Sequence, residues 1–172
     1  MEEDLERRLS AIEDREQIRE LRATYCFLVD DGRFDELVDD CFTDDARCDF
    51  RSAQGDLGPF VSKGREEVRA FFAQVVASLL HDMSHTVHNH RISLDGDRAT
   101  GDCYFELTAK DPSNGDAVVG AGRYLDRYRR VAGRWRFEER AAVIVHMAPL
   151  AEGWVKRPFL ATLEAASAAM QD

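Results

Sequence analysis

The hydrophobic pattern of this chain changes period once, near Leu80, with helical spacing before it and strand-like runs after it. Leu5, Leu9 and Ile12 form one apolar stripe, and Ile18, Leu21, Tyr25 and Leu28 form a second, among dense acidic and basic residues. Together they predict a first helix that is kinked or shifted in phase between Ile12 and Ile18. Asp31-Gly32 interrupts it. Phe34, Leu37, Val38, Cys41 and Phe42 then recur at i, i+3, i+4, i+7 and i+8 with acids in the first turn, which predicts a short second helix. A third begins near Gly64 and carries Val68, Phe71, Phe72, Val75, Val76, Leu79 and Leu80 on one side.

Beyond Leu80 the stretches Ser84–Leu94, Ala99–Lys110, Ala117–Arg130 and Arg134–Met147 are rich in strand formers. Asp-Gly-Asp, Asp-Pro-Ser-Asn-Gly-Asp and Ala-Gly turn signals separate them. Long consecutive strands joined by hairpins predict a curved antiparallel sheet, and a short strand, Ala46–Arg51, precedes a Gly- and Pro-containing loop over 52–62. Helices first and strands second is the α+β order, with the helices on one face of the sheet. The chain reads as a single domain over 1–172, with 1–17 as a helical extension. Residues 148–172 read as a loop with Pro149 and Trp154, then a possible helix over Phe159–Met170.

A length of 172 residues with 44% hydrophobic content suits one core rather than two marginal ones. Lys and Arg number 23 against 33 Asp and Glu, a net charge of −10, which repels phosphate backbones and anionic lipid head groups. Nucleic acid and membrane partners are not expected. No apolar run approaches the roughly 20 residues that span a bilayer. The first residues, Met-Glu-Glu-Asp-Leu-Glu-Arg-Arg, lack an apolar signal region, so the expected location is cytoplasmic. Cys26, Cys41, Cys48 and Cys103 have no C-x-x-C spacing and read as buried thiols packing as small hydrophobes.

No Walker-type glycine loop, G-x-G-x-x-G, nucleophile elbow or Cys-His catalytic signature is present, and no cofactor is expected. His81, His85, His88 and His90 raise a metal reading, but on a regular strand His88 and His90 share one face and His85 takes the other. No more than two converge without a bulge, and no metal is expected. A different use of His85 would need a carboxylate partner, and Asp30, which ends the long amphipathic segment, is a candidate. A carboxylate that fixes an imidazole tautomer and raises its basicity makes a general base near neutral pH. A carboxylate at a helix C-terminus is electrostatically disfavoured, and that misplacement points to function. The alternative for His85 is a core or interface histidine bonded to a backbone carbonyl. Tyr25 follows the apolar stripe, where it either packs or donates to a substrate. Tyr104 and Glu106 share one strand face, opposite Cys103, Phe105 and Leu107, and that face is either the cavity or an oligomer interface. The same alternatives hold for Arg140 and His146 on the last strand.

Four passages carry a resemblance to a known family: Ile18-Arg-Glu-Leu-Arg-Ala-Thr-Tyr25 with Val29-Asp-Asp-Gly32; Ser84-His-Thr-Val-His-Asn89; Asp95-Gly-Asp-Arg-Ala-Thr100; and Gly122-Arg-Tyr-Leu-Asp-Arg-Tyr128 with Gly133-Arg-Trp-Arg-Phe137. With the order of elements, they resemble the SnoaL-like, scytalone-dehydratase-like family of the cystatin-like cone fold, the superfamily of nuclear transport factor two. The finer likeness is to its dehydratase branch, with bile-acid dehydratase and lindane dehydrochlorinase. The resemblance implies a cone with an internal pocket and a catalytic aspartate and histidine at Asp30 and His85. Tyr25 matches a tyrosine five residues before the aspartate. That spacing separates the side chains by roughly 140° on an ideal helix, so both reach one cavity only if the helix ends or distorts before Asp30. The sequence departs from the pattern elsewhere. Tyr104 and Glu106 stand where a second histidine is found, Phe50 where an early-strand tyrosine is found, and Ile144 where a late arginine is found.

The expected function is a cofactor-independent lyase of dehydratase type acting on a small hydrophobic molecule, with His85 as base, Asp30 as its partner and Tyr25 as a hydrogen-bond donor. Tyr104, Glu106, Phe50 and Trp154 are the candidate substrate-binding residues. An isomerase or polyketide cyclase would use the same dyad, and a non-catalytic ligand-binding domain is the other reading. The resemblance implies a homodimer or homotrimer. The apolar C-terminal segment, with Trp154, Phe159 and Leu160, would cover either a pocket mouth or a neighbouring subunit.

Overall fold

The computed structural model describes residues 1–55 and 57–153. The expected helix over Phe159–Met170, and Trp154 with it, lie outside the described residues. Helix α1 spans Glu2–Asp30 and α2 spans Phe34–Cys41. Strands β1, Phe42–Ser52, and β2, Phe60–Lys63, follow. Helix α3 starts at Gly64–Ala70, widens to π-helical geometry over Phe71–Val76 and finishes over Ala77–Leu79. Strands β3, His81–Asp95, β4, Arg98–Lys110, β5, Ala117–Val131, and β6, Arg134–Pro149, complete the sheet. A short 3-10 turn, Leu150–Glu152, follows.

The sheet order is β2-β1-β6-β5-β4-β3, antiparallel throughout except for the parallel β1–β6 pair. The expected α+β architecture is the one observed: three helices lie against one face of an open, curved sheet. Ile18, Leu21 and Tyr25 of α1, Leu37 and Val38 of α2, and Val68 and Phe72 of α3 pack against Phe42, Phe105, Tyr124, Tyr128, Phe137 and Ile144 of the sheet. All four cysteines are buried and unpaired. Burial pushes the Cys26, Cys41 and Cys48 thiols up to about 12. Among the described residues no helix is long and apolar enough to cross a membrane.

Four local expectations are corrected. Helix α1 is one uninterrupted helix. The phase shift between its two stripes is real, but only the second packs on the core, while Leu5, Leu9 and Ile12 stay exposed. Phe42 belongs to β1 rather than to α2, because its backbone is already extended at the α2 C-cap. The expected loop 52–62 contains β2, which folds back so that Phe60 lies opposite Phe50. Gly58 makes that return possible: at φ +76 it sits where a Cβ would lie 2.5 Å from the Phe50 carbonyl oxygen. Finally, β3 is not regular. Asn89 adopts φ +56 and the register against β4 slips between His88 and Arg91. This bulge puts His88 on the outer face and leaves His90 half-buried on the inner one, where it meets Arg22 of α1 at 2.7 Å.

Candidate functional site

The last turn of α1 runs beside the start of β3, and the contact between them is the Asp30–His85 pair. Asp30 Oδ2 accepts the His85 backbone N–H at 2.8 Å, and Oδ1 accepts from the ring Nδ1 at 2.5 Å. One carboxylate therefore fixes both the strand and the imidazole. The pair is largely out of solvent, with side chains 8% exposed for His85 and 15% for Asp30. An acceptor at Nδ1 places the proton there and leaves Nε2 as the basic nitrogen.

His85 lines an apolar cavity of about 280 Å³ between the helices and the inner face of the sheet. Its walls are Val29 and Tyr25 of α1, Phe50 of β1, Phe71, Phe72, Val75 and Val76 of α3, Met83 of β3, Phe105 and Leu107 of β4, Tyr124 of β5 and Met147 of β6. Leu57 and Phe60, before and in β2, border it on the exposed side, together with Leu79 and Leu80 at the end of α3. Two glycines on β5 leave room for these walls. At Gly122 a Cβ would run into the Val143 carbonyl oxygen and the Phe105 ring, and the ring instead stacks on Tyr124 at 4.5 Å.

Helix α1 runs through Asp30 without ending early, so the distortion that would bring Tyr25 and Asp30 into one cavity is absent. The wide angular separation is used differently: Tyr25 faces the cavity, while Asp30 reaches β3 and holds His85 from behind. Tyr25 is 5% exposed and meets Phe42, Phe72, Tyr124 and Phe137 edge-on. Burial raises its pKa and that of Tyr124, so both phenols stay protonated at neutral pH. Phe50 is a cavity wall. Tyr104 and Glu106 are not, because β4 alternates and Phe105 and Leu107 take the inner positions. Tyr104 is 45% exposed, stacks on His88 and lies under Arg123 on the outer face, where Glu106 is 3.7 Å from His88. Trp154 falls outside the described residues.

The sequence left Arg140 ambiguous, and the structure puts it on the inner face. It is 3% exposed and its guanidinium carbon lies 3.8, 3.7 and 4.3 Å from the ring centres of Tyr25, Tyr124 and Phe137. None of its nitrogens has a hydrogen-bond partner among the described residues, and Asp126 is its ion partner at 3.6 Å. Burial opposes its charge, but Asp126 and the surrounding tyrosines outweigh burial and raise its pKa. A fixed cation thus underlies the two tyrosines of the cavity wall. Asp126 is shared with a second buried chain in which Arg22 donates to the Tyr128 hydroxyl and Tyr128 donates to Asp126, both at 2.6 Å. Ile144, expected at the position of a late arginine, is a buried core residue. Alternation from Trp135 and Phe137 would send residue 139 inward, but a register shift in the β5–β6 pairing turns Arg140 there instead.

Among the described residues no three His, Cys, Asp or Glu side chains come together as a metal-binding group. The arrangement that does exist is a clamped imidazole facing an apolar space, with two tyrosines in the wall and a buried cation against their rings. Chemically it suits removal of a proton from carbon, where an imidazole base works next to groups that accept developing negative charge.

No curated protein matches the chain in sequence. Solved structures share its fold. The hexachlorocyclohexane dehydrochlorinase LinA-type3 from Novosphingobium barchaimii LL02 is 22% identical with a TM-score of 0.72, over 87% of this chain and 99% of its own. A proposed scytalone dehydratase from Novosphingobium aromaticivorans is 16% identical with a TM-score of 0.71, over 81% of this chain and 89% of its own. A proposed aromatic ring hydroxylase from Novosphingobium aromaticivorans is 28% identical with a TM-score of 0.70, over 80% of this chain and 94% of its own. The SnoaL-like domain model matches residues 10–141, a span that holds α1 from its exposed part onward, the Asp30–His85 contact and the sheet as far as the middle of β6, and the chain belongs to that family.

Proposed function

We propose that this protein is a cofactor-independent lyase of dehydratase type, acting on a compact, mostly apolar molecule inside the cavity. The observation that carries the reading is the pair of hydrogen bonds that His85 donates to Asp30 at the wall of an apolar space of about 280 Å³. In this reading His85 Nε2 takes a proton from a carbon next to an activating group. The C–H electron pair forms the new double bond as a hydroxyl or other leaving group departs with its own pair from the neighbouring carbon. Asp30 stabilises the imidazolium that results, and the low dielectric of the cavity strengthens that interaction. Tyr25 and Tyr124, which line the cavity with the Arg140 guanidinium over their rings, would donate to any oxyanion that develops. The proposed dehydratase and the dehydrochlorinase among the structural neighbours support elimination over other outcomes of the same proton removal. An isomerase would share the proton-removal step.

The experiment is a panel of apolar hydroxy-ketones and halogenated hydrocarbons followed by ligand-detected NMR with wild type and His85→Ala. Loss of a leaving group in wild type, with His85→Ala binding but not converting the compound, supports the lyase. Double-bond movement without a leaving group turns the reading to an isomerase. Binding without conversion by either protein turns it to a ligand-binding domain.

A further inference from the structure

The first half of α1 presents a surface that its own chain does not cover. Residues 2–13 are all exposed except half-buried Ala11, and contact with the body begins at Asp14, which is buried where it accepts from Trp135 Nε1 at 3.0 Å and from Arg130 at 2.6 Å. A helical segment of this length is marginal alone in water. Its side chains are patterned nonetheless. Leu5, Leu9 and Ile12 fall at i, i+4 and i+7 and are 64%, 53% and 63% exposed. At about 100° per residue they share an arc of about 60°, roughly 180° from the mean direction of Asp14, Ile18, Leu21 and Tyr25. The stripe points away from the body, so a helix laid on it would meet α1 alone.

Charge then selects the occupant. With Leu5 and Ile12 at d and Leu9 at a, Glu6, Glu13 and Glu20 take the e positions along one flank, and Arg8 and Arg15 take the g positions along the other. In a parallel pair of identical helices, Arg8 of each copy faces Glu13 of the other and Arg15 faces Glu20. An antiparallel pair sets arginine against arginine and glutamate against glutamate. Glu16, at the next a position and ion-paired with Arg19 at 3.0 Å, ends the apolar seam. We propose that the exposed half of α1 docks on the same segment of a second copy of this chain, parallel and in register, with the two bodies on opposite outer sides.

Leu5→Cys tests this directly, because the native cysteines are buried and contribute little background. Mild oxidation of the full chain is expected to link two copies through residue 5, read on a non-reducing gel. Mixing Leu5→Cys with Ile12→Cys is expected to give no 5-to-12 link, since seven residues of helix separate those positions by about 10 Å in a parallel pair. In the Leu5→Cys background, Arg8→Glu or Glu13→Arg alone is expected to lower the linking rate about fivefold or more. Both changes in one chain, or the two single variants mixed, are expected to restore it. Circular dichroism of each variant separates lost docking from lost helix. No link at residue 5, a link rate indifferent to Arg8→Glu, or predominant 5-to-12 links would overturn the proposal.

Discussion

Asp30 occupies a position where a carboxylate is poorly placed, the last turn of a helix with no basic residue in it. The partial negative charge of that helix end opposes it by about 0.3–1 kcal/mol. His85 answers with two N–H donors, and hydrogen bonds to a charged acceptor contribute about 1.5–3 kcal/mol each. The pair therefore persists because His85 is there, and the imidazole is oriented because Asp30 is there. An amide at this position keeps the shape and removes the reason for a proton at Nδ1. We expect Asp30→Asn to shift the His85 ring toward the Nε2–H tautomer, read by its ¹⁵N chemical shifts. On a converted substrate kcat is expected to fall about 10²- to 10⁴-fold with little change in binding. A ring with the wild-type tautomer in Asp30→Asn would remove the positioning role assigned to the carboxylate.

Among the elements, the strand breaks decide what faces inward. The three helical stripes and the four long strands are readable because burial alternates with a fixed period, whereas the pairing of Asp30 with His85 was legible only through the family resemblance. What was not readable follows from irregularities that no periodicity encodes. The bulge at Asn89 separates His88 from His90, and the β6 shift before Arg140 brings a guanidinium under the cavity wall. Tyr104 and Glu106 were undecided because alternation gives two faces without saying which is inner, a choice made by the packing of α1 against β3. Asn89 itself carries a test. Its left-handed backbone suits glycine and is tolerated by asparagine, but a β-branched residue is strained there by about 1–3 kcal/mol. Asn89→Val is expected to lose about that much in urea unfolding and Asn89→Gly to stay near wild type. Equal stability of the two variants would mean that the bulge is not held by this residue.

For the whole molecule, the same burial that keeps the cavity apolar encloses thiols whose ionisation it opposes. Cys26, Cys41 and Cys48 have their pKa raised from 9.0 to about 12, with desolvation the leading cause and the nearby Arg140 charge opposing it. In the unfolded chain these thiols lose protons above pH 9, while in the folded protein they keep them until about 12. Over that window the unfolded state binds fewer protons than the native one, so stability falls as pH rises. The contribution is complete below pH 9 and disappears progressively toward 12, at up to about 1.4 kcal/mol per pH unit for each thiol. Urea midpoints are therefore expected to decline steadily above pH 9 from these thiols. Cys48→Ala, although less stable near neutrality for the volume it removes, is expected to show a shallower decline because one of the coupled protons is gone. A midpoint as steep in Cys48→Ala as in wild type would place the alkaline sensitivity elsewhere, with the buried tyrosines around Arg140 the next groups to vary.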